Sequence, residues 1–196
     1  HHRLTGARLG YPAGVTPVGA EFKGLVVVNA RAFAEGRRAG AWADVTSRLP
    51  SEDRATLDGV ISAGWYDVGL YDRLHVALAE ELGEGSMRDL GRFSAEGDLT
   101  TVHRLFLRMA SPTFLVQRYG EYWRRYQTSG TWSIAGTPPW KVRARLDDWA
   151  SQVEATRVRL VAYIERMLEL TGFGTFDVQR VHSRASLELV IDVRPK

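Results

Sequence analysis

The chain has 196 residues, enough for one hydrophobic core, and its 44% apolar content excludes a disordered polymer. It has no cysteine, which excludes disulfides, thiolate catalysis and every cysteine-based metal site. The net charge is +3, and no apolar run approaches the roughly 18 residues of a membrane helix.

Basic and acidic residues alternate along the chain, as in Arg92, Glu96 and Asp98 or Glu154, Arg157, Glu165 and Arg166. A nucleic-acid surface needs its positive charge gathered on one face, so neither nucleic acid nor membrane is an expected partner. No leader-like apolar stretch stands near the start, and a cytoplasmic location is the default.

Residues 1–20 carry Gly6, Gly10, Pro12, Gly14, Pro17 and Gly19 behind His1-His2, which has the form of a tag remnant. They read as a flexible arm, and residues 21–196 as one domain. Glu21 to Ala30 opens with a short strand, Ala30 to Gly36 is a short helix, and Ala41 to Leu49 is a helix stopped by Pro50. Ser51 is the expected N-cap of a helix reaching Ala63-Gly64. Gly64-Trp65-Tyr66 is a turn, and Asp67 caps a helix with the apolar stripe Leu70, Leu74, Leu78 and Leu82.

A helical stretch covers about 85–110, with a kink or break at Gly97-Asp98. Ser111-Pro112 restarts the pattern, and Leu115, Tyr119, Tyr122 and Tyr126 form a stripe on the next helix. Past Gly130 the period falls to two. Val142, Ala144 and Leu146 alternate with charged residues, and Thr131 to Ala135 is the hairpin partner. Ser151 to Glu154 reads as a capping box for a long helix with Val153, Leu160, Val161, Ile164, Met167 and Leu168 on its core face and Gly172 closing it. Two strands, Thr175 to Val181 and Leu187 to Val193, end the chain. The class is α+β: N-terminal helices packed with a small antiparallel sheet of two hairpins, crossed by one long helix.

No catalytic constellation stands out. His75, His103 and His182 are far apart in sequence and read as surface or satisfied histidines, so no metal is expected. There is no nucleophile elbow, and Gly83-Glu84-Gly85-Ser86 lacks the lysine of a phosphate loop and reads as a helix-to-helix turn. Asp147-Asp148 reads as a solvated turn. Tyr122-Trp123-Arg124-Arg125-Tyr126 is suited to stacking on a planar anion, or to a helix with one face in the core and the other in solvent.

Gly64-Trp65-Tyr66, Leu90-Gly91-Arg92-Phe93-Ser94-Ala95-Glu96, Leu105-Phe106-Leu107, Ser111-Pro112 and Tyr122 to Tyr126 with Gly130 together resemble an uncharacterised, mainly myxobacterial family. The C-terminal order of helix, hairpin, long helix and hairpin is similar to a ligand-binding fold shared by three groups: the haem nitric-oxide/oxygen-binding domains, the 4-vinyl reductase-type sensors and the TRAPP vesicle-tethering subunits. That likeness implies a sensory or small-molecule-binding domain of the NO-signalling/Golgi-transport type, not an enzyme. Tyr-x-Ser-x-Arg is missing from Val142 to Asp147, and no histidine lies between Ser111 and Gly130. No haem or other cofactor is therefore expected. The ligand implied is small and apolar or aromatic, with Trp65, Tyr66, Phe106, Tyr122 and Trp123 as candidate contacts. The alternative is an interaction module with a filled core and no ligand, and a homodimer is expected on either reading.

Overall fold

The computed structural model describes residues 19–98, 112–135, 141–151, 153–181 and 186–195. Glu21–Lys23 form β1, and Leu25–Arg37 form α1. The short strand expected at the start of Glu21 to Ala30 is β1, and the helix begins earlier than Ala30, so the valine run at 26–28 is helical. Its β-branched residues disfavour a helix by only tenths of a kcal/mol each, and burial of Val26, Val27, Ala30, Phe33 and Ala34 on one face outweighs that. The helices α2 (Ala41–Ser47) and α3 (Ser51–Asp58) follow. Ser51 is not the N-cap: Pro50 holds that position and no side chain caps the helix. The helix also ends at Asp58, short of Ala63. Asp53 in its first turn is buried and takes a bidentate bond from Arg73.

Trp65–Asp67 are not a turn but a strand, β2, paired antiparallel with β1 through Phe22 opposite Tyr66. Asp67 then caps α4 (Val68–Leu82), its carboxylate accepting from the Gly69 and Leu70 amides. Leu70, Leu74 and Leu78 are buried as the stripe requires. Gly83 to Gly85 make the helix-to-helix turn into α5 (Ser86–Asp98), and the rest of the stretch expected to reach 110 lies outside the described residues. The helix α6 (Pro112–Trp123) precedes the larger sheet.

That sheet is built from β3 (Thr131–Ala135), β4 (Lys141–Asp147), β5 (Gly174–Val181) and β6 (Leu187–Pro195) in the order β3-β4-β6-β5, every pair antiparallel. The inward row sets Val142, Ala144 and Leu146 of β4 opposite Ile191, Leu189 and Leu187 of β6, all buried. Between the two hairpins in sequence lies α7 (Glu154–Leu170). Leu160, Val161, Ile164, Met167 and Leu168 are buried, and Val153 is half-buried. Gly172, at φ 68°, follows as the left-handed residue that ends the helix.

The capping box is not formed. Val153 is the N-cap of α7 and has no side-chain cap bond, while Ser151 turns its hydroxyl inward to Asp72 of α4. One cluster of buried apolar side chains runs from Phe22 and Leu74 through Leu90 to Ile164 and Leu189, joining the helices to the sheet. Fold class and the two hairpins of the larger sheet are thus those read from the sequence, while the β1–β2 pair is not. No helix among the described residues is long and apolar enough to cross a membrane.

Candidate functional site

The aromatic candidates divide between two places. Trp65 is on β2, partly exposed, with the Lys23 ammonium 4.4 Å from its ring. Beside it Tyr66 packs on Phe22 and accepts at its hydroxyl from the Ile61 amide, closing the loop after α3. Trp123 ends α6 in the core, its indole donating to the Ser129 carbonyl and its ring meeting Trp132 and Trp149. Tyr122 is half-buried against Tyr126, with Arg125 over its face. Phe106 lies outside the described residues.

The expected stripe also divides. Tyr119 is buried against Trp123 and Trp132, Tyr126 falls in the turn after the helix, and the side chain of Leu115 is outside the described residues. A cleft of about 280 Å³ between the α4–α5 turn and the start of α7, lined by Glu84, Met87, Arg88, Glu154 and Val158, touches none of these aromatics.

A second, polar constellation is assembled by α4, α5 and α7 around Tyr71. The close approach of α5 to α7 depends on Gly91: a Cβ there would collide with the Arg159 backbone oxygen and lie 3.0 Å from the Ala162 Cβ. One turn on, at Ser94, the same crossing brings a hydroxyl to Arg159. Arg159 is 5% exposed and donates 3.2 Å to the Tyr71 hydroxyl and 3.2 Å to Ser94 Oγ. Among the described residues no carboxylate pairs with it. Asp98 feels its charge, but the two oxygens of Asp98 are bound by Asn29 and Tyr163, and burial pushes the Asp98 carboxyl above its ordinary range.

On the other side of Tyr71, the His75 ring meets the tyrosine edge-on at 4.3 Å and has no exposed surface. Thr156 donates to Asp72 Oδ1 at 3.0 Å, which leaves its oxygen free to accept from His75 Nδ1 at 3.2 Å. With the proton on Nδ1, the lone pair of Nε2 faces inward and meets no partner. His75 is therefore not a satisfied histidine. Burial first, then the Arg159 charge, holds its basicity well below that of an ordinary imidazole, so it is neutral at pH 7. His103 and His182 lie outside the described residues.

Three buried polar atoms near Tyr71 thus lack a hydrogen-bond partner: Arg159 Nε, His75 Nε2 and Gln127 Oε1. Gln127 is 3% exposed and reaches the Tyr71 hydroxyl. Buried polar atoms are nearly always satisfied, so three near one side chain make this place a candidate site among the described residues. Two signals for it were present in the sequence: Asp72 and His75 one helical turn apart on a leucine-rich face, and Arg159 next to the apolar Leu160 and Val161. Neither suffices without knowing that α4 and α7 face one another. The groups of His75, Asp72 and Thr156 form a hydrogen-bonded chain, and among the described residues no cluster is suited to a metal ion.

No family model matches this sequence, and no curated protein does. Solved structures do. An Fe(II) unliganded H-NOX protein from K. algicida superposes with a TM-score of 0.68 at 12% identity, covering 89% of this chain and 97% of that one. An H-NOX protein from S. oneidensis in the Fe(II)NO state gives 0.60 at 14% identity, covering 88% and 99%. An oxygen-binding H-NOX domain related to soluble guanylate cyclases, in its oxygen complex, gives 0.61 at 11% identity, covering 88% and 96%. The fold is that of H-NOX domains.

On β4 the arginines, Arg143 and Arg145, point away from the core and pair with Glu188 and Asp147, while the inward positions are Val142, Ala144 and Leu146. His75 offers a nitrogen, but its ring is packed against Tyr71 and no described arginine of the sheet faces it.

Proposed function

We propose that this chain is a sensory, ligand-binding domain that holds a small molecule with an aromatic or apolar body between its helices and its sheet, acts by binding rather than by catalysis, and does so without haem. The observation that carries this reading is the set of unmet polar atoms around Tyr71. A filled, purely structural core of this size has every reason to satisfy or exclude such groups, because each unpaired one costs about 1–3 kcal/mol. The fold supports it as well, since its solved examples are described as Fe(II), nitric-oxide and oxygen complexes. The outward-facing β4 arginines support the absence of haem.

Native mass spectrometry of freshly purified protein, compared with the mass after denaturation, tests the reading. The expected result is a non-covalent small-molecule adduct whose mass is not that of haem. A bare chain mass found only in dimers would favour the interaction module instead, and a haem adduct would overturn the last clause of the proposal.

A further inference from the structure

The Arg159 guanidinium, which no carboxylate among the described residues pairs with, narrows the ligand's chemistry. We infer that Arg159, Tyr71, Ser94 and His75 form the polar end of a site for a small hydroxylated organic acid, whose carboxylate meets Arg159 and whose hydroxyl meets His75. The inference rests on the ligand-binding reading above and adds the chemical class.

Each part follows from the donor and acceptor inventory. Arg159 carries a permanent charge at 5% exposure, and its bonds to Tyr71 and Ser94 are to neutral oxygens. A buried cation without a counter-ion is strongly unfavourable, while a planar carboxylate is the partner that a guanidinium fork recognises best. The acids nearby do not supply that partner. Asp72 receives Ser151 and Thr156, Asp98 receives Asn29 and Tyr163, and Asp53 is held by Arg73. The free Arg159 Nε–H calls for an acceptor.

His75 Nε2 and Gln127 Oε1 call for donors, which a simple carboxylate lacks and a hydroxyl or a second O–H provides. The surroundings set the body of the molecule. Tyr71 lies between Phe22, at 4.8 Å between ring centres, and His75, and Tyr119 is buried within reach of the same charge. An aromatic hydroxy acid satisfies all of these demands at once, with its ring against rings and its polar groups against the three unmet atoms.

The test is calorimetric titration of the full chain with salicylate and 4-hydroxybenzoate, alongside benzoate, which lacks the hydroxyl, and 2-hydroxybenzyl alcohol, which lacks the carboxylate. At least one hydroxybenzoate should bind about tenfold or more tightly than both comparators. In Arg159→Met the preference for acid over alcohol should vanish while the far-ultraviolet spectrum is kept. In His75→Phe the preference for hydroxybenzoate over benzoate should vanish.

If either variant fails to fold, the comparison of the four probes on the unaltered chain still decides. Equal binding of acid and alcohol, or a neutral molecule retained in the native mass spectrum with no acid bound, overturns the acid and leaves the binding domain standing. No adduct and no bound probe overturns both. A crystal grown with salicylate that shows only ordered water at Arg159 also overturns the inference.

Discussion

Arg159, in the second turn of α7, donates to the hydroxyl of Tyr71 on α4, and both residues are almost fully buried. The bond ties the C-terminal helix to the N-terminal helices at a charge that no described carboxylate bonds directly. Burial raises the Tyr71 hydroxyl above its ordinary pKa, and the Arg159 charge acts in the opposite direction, so the tyrosine stays protonated through the physiological range. Tyr71→Phe removes one of the two oxygens serving the guanidinium. It should lower stability by about 1–3 kcal/mol, the cost of leaving a buried donor unmet, measured as the shift in a urea melt. No shift would mean that Arg159 finds another partner once the hydroxyl is gone.

Gly91 controls the crossing that brings Ser94 to Arg159. A methyl group there meets backbone of α7, which cannot rotate away as a side chain does. Gly91→Ala should therefore separate α5 from α7 and cost about 1–3 kcal/mol, despite alanine's better helix propensity. Gly97, on the same helix with open space around it, is the control: Gly97→Ala should be neutral or stabilising by up to about 1 kcal/mol. Equal melting points for the two variants would show that the helices do not approach as described.

What could be read from the sequence follows a physical division. The sheet was legible because Val142, Ala144 and Leu146 alternate with charged residues and a one-residue slip would bury Arg143 and Arg145. Asp67 as a cap was legible because the signal is local. Ser51 and Ser151 carry the same local signal and do something else: one lies inside its helix, and the other gives its hydroxyl to Asp72, a residue 79 positions away. The valines at 26–28 went into a helix for a tertiary reason as well. The candidate site was the least legible part. His75 and Arg159 look unremarkable until α4 and α7 are set face to face, and aromatic character alone pointed instead to Trp65 and Trp123, whose rings pack in separate places.

His75 gives the protein a pH dependence with a definite sign. Its folded basicity is well below the ordinary value of 6.5, so below that pH the unfolded chain binds a proton that the folded chain refuses. Stability is therefore fully present above about pH 6.5 and is lost as pH falls below it, with a slope of at most about 1.4 kcal/mol per pH unit from this one group. Asp98 acts oppositely and nearer its own ordinary value of 3.8, because burial makes the folded state hold its proton more readily. Urea melts at pH 7.5, 6.5 and 5.5 should show the decline in the unaltered chain and a smaller one in His75→Gln. Parallel curves would assign the decline to other groups.

Ile164 and Arg166 test the orientation of α7. Ile164 is 5% exposed and belongs to the core shared with the sheet, so Ile164→Ala should cost about 2–5 kcal/mol through lost burial and the cavity left behind. Arg166 bonds to Glu96 and Glu169 at the surface, and Arg166→Ala should stay within about 1 kcal/mol, decreasing further in high salt. Equal urea midpoints for the two variants would mean that the helix is rotated from the position described.

Haem reconstitution tests the haem-free reading directly. On β4, Val142, Ala144 and Leu146 face inward, and Arg143 and Arg145 are engaged on the outer face. His75 already donates from one nitrogen to Thr156 and is held edge-on to Tyr71, so a porphyrin reaching Nε2 would have to displace buried aromatic packing. Incubation with haem followed by gel filtration should therefore leave protein with no Soret band. If a band does survive filtration, His75→Ala and His103→Ala identify its ligand. A band abolished by either one would overturn the haem-free reading, and a band abolished by His75→Ala would also show that the group around Tyr71 opens to admit a cofactor.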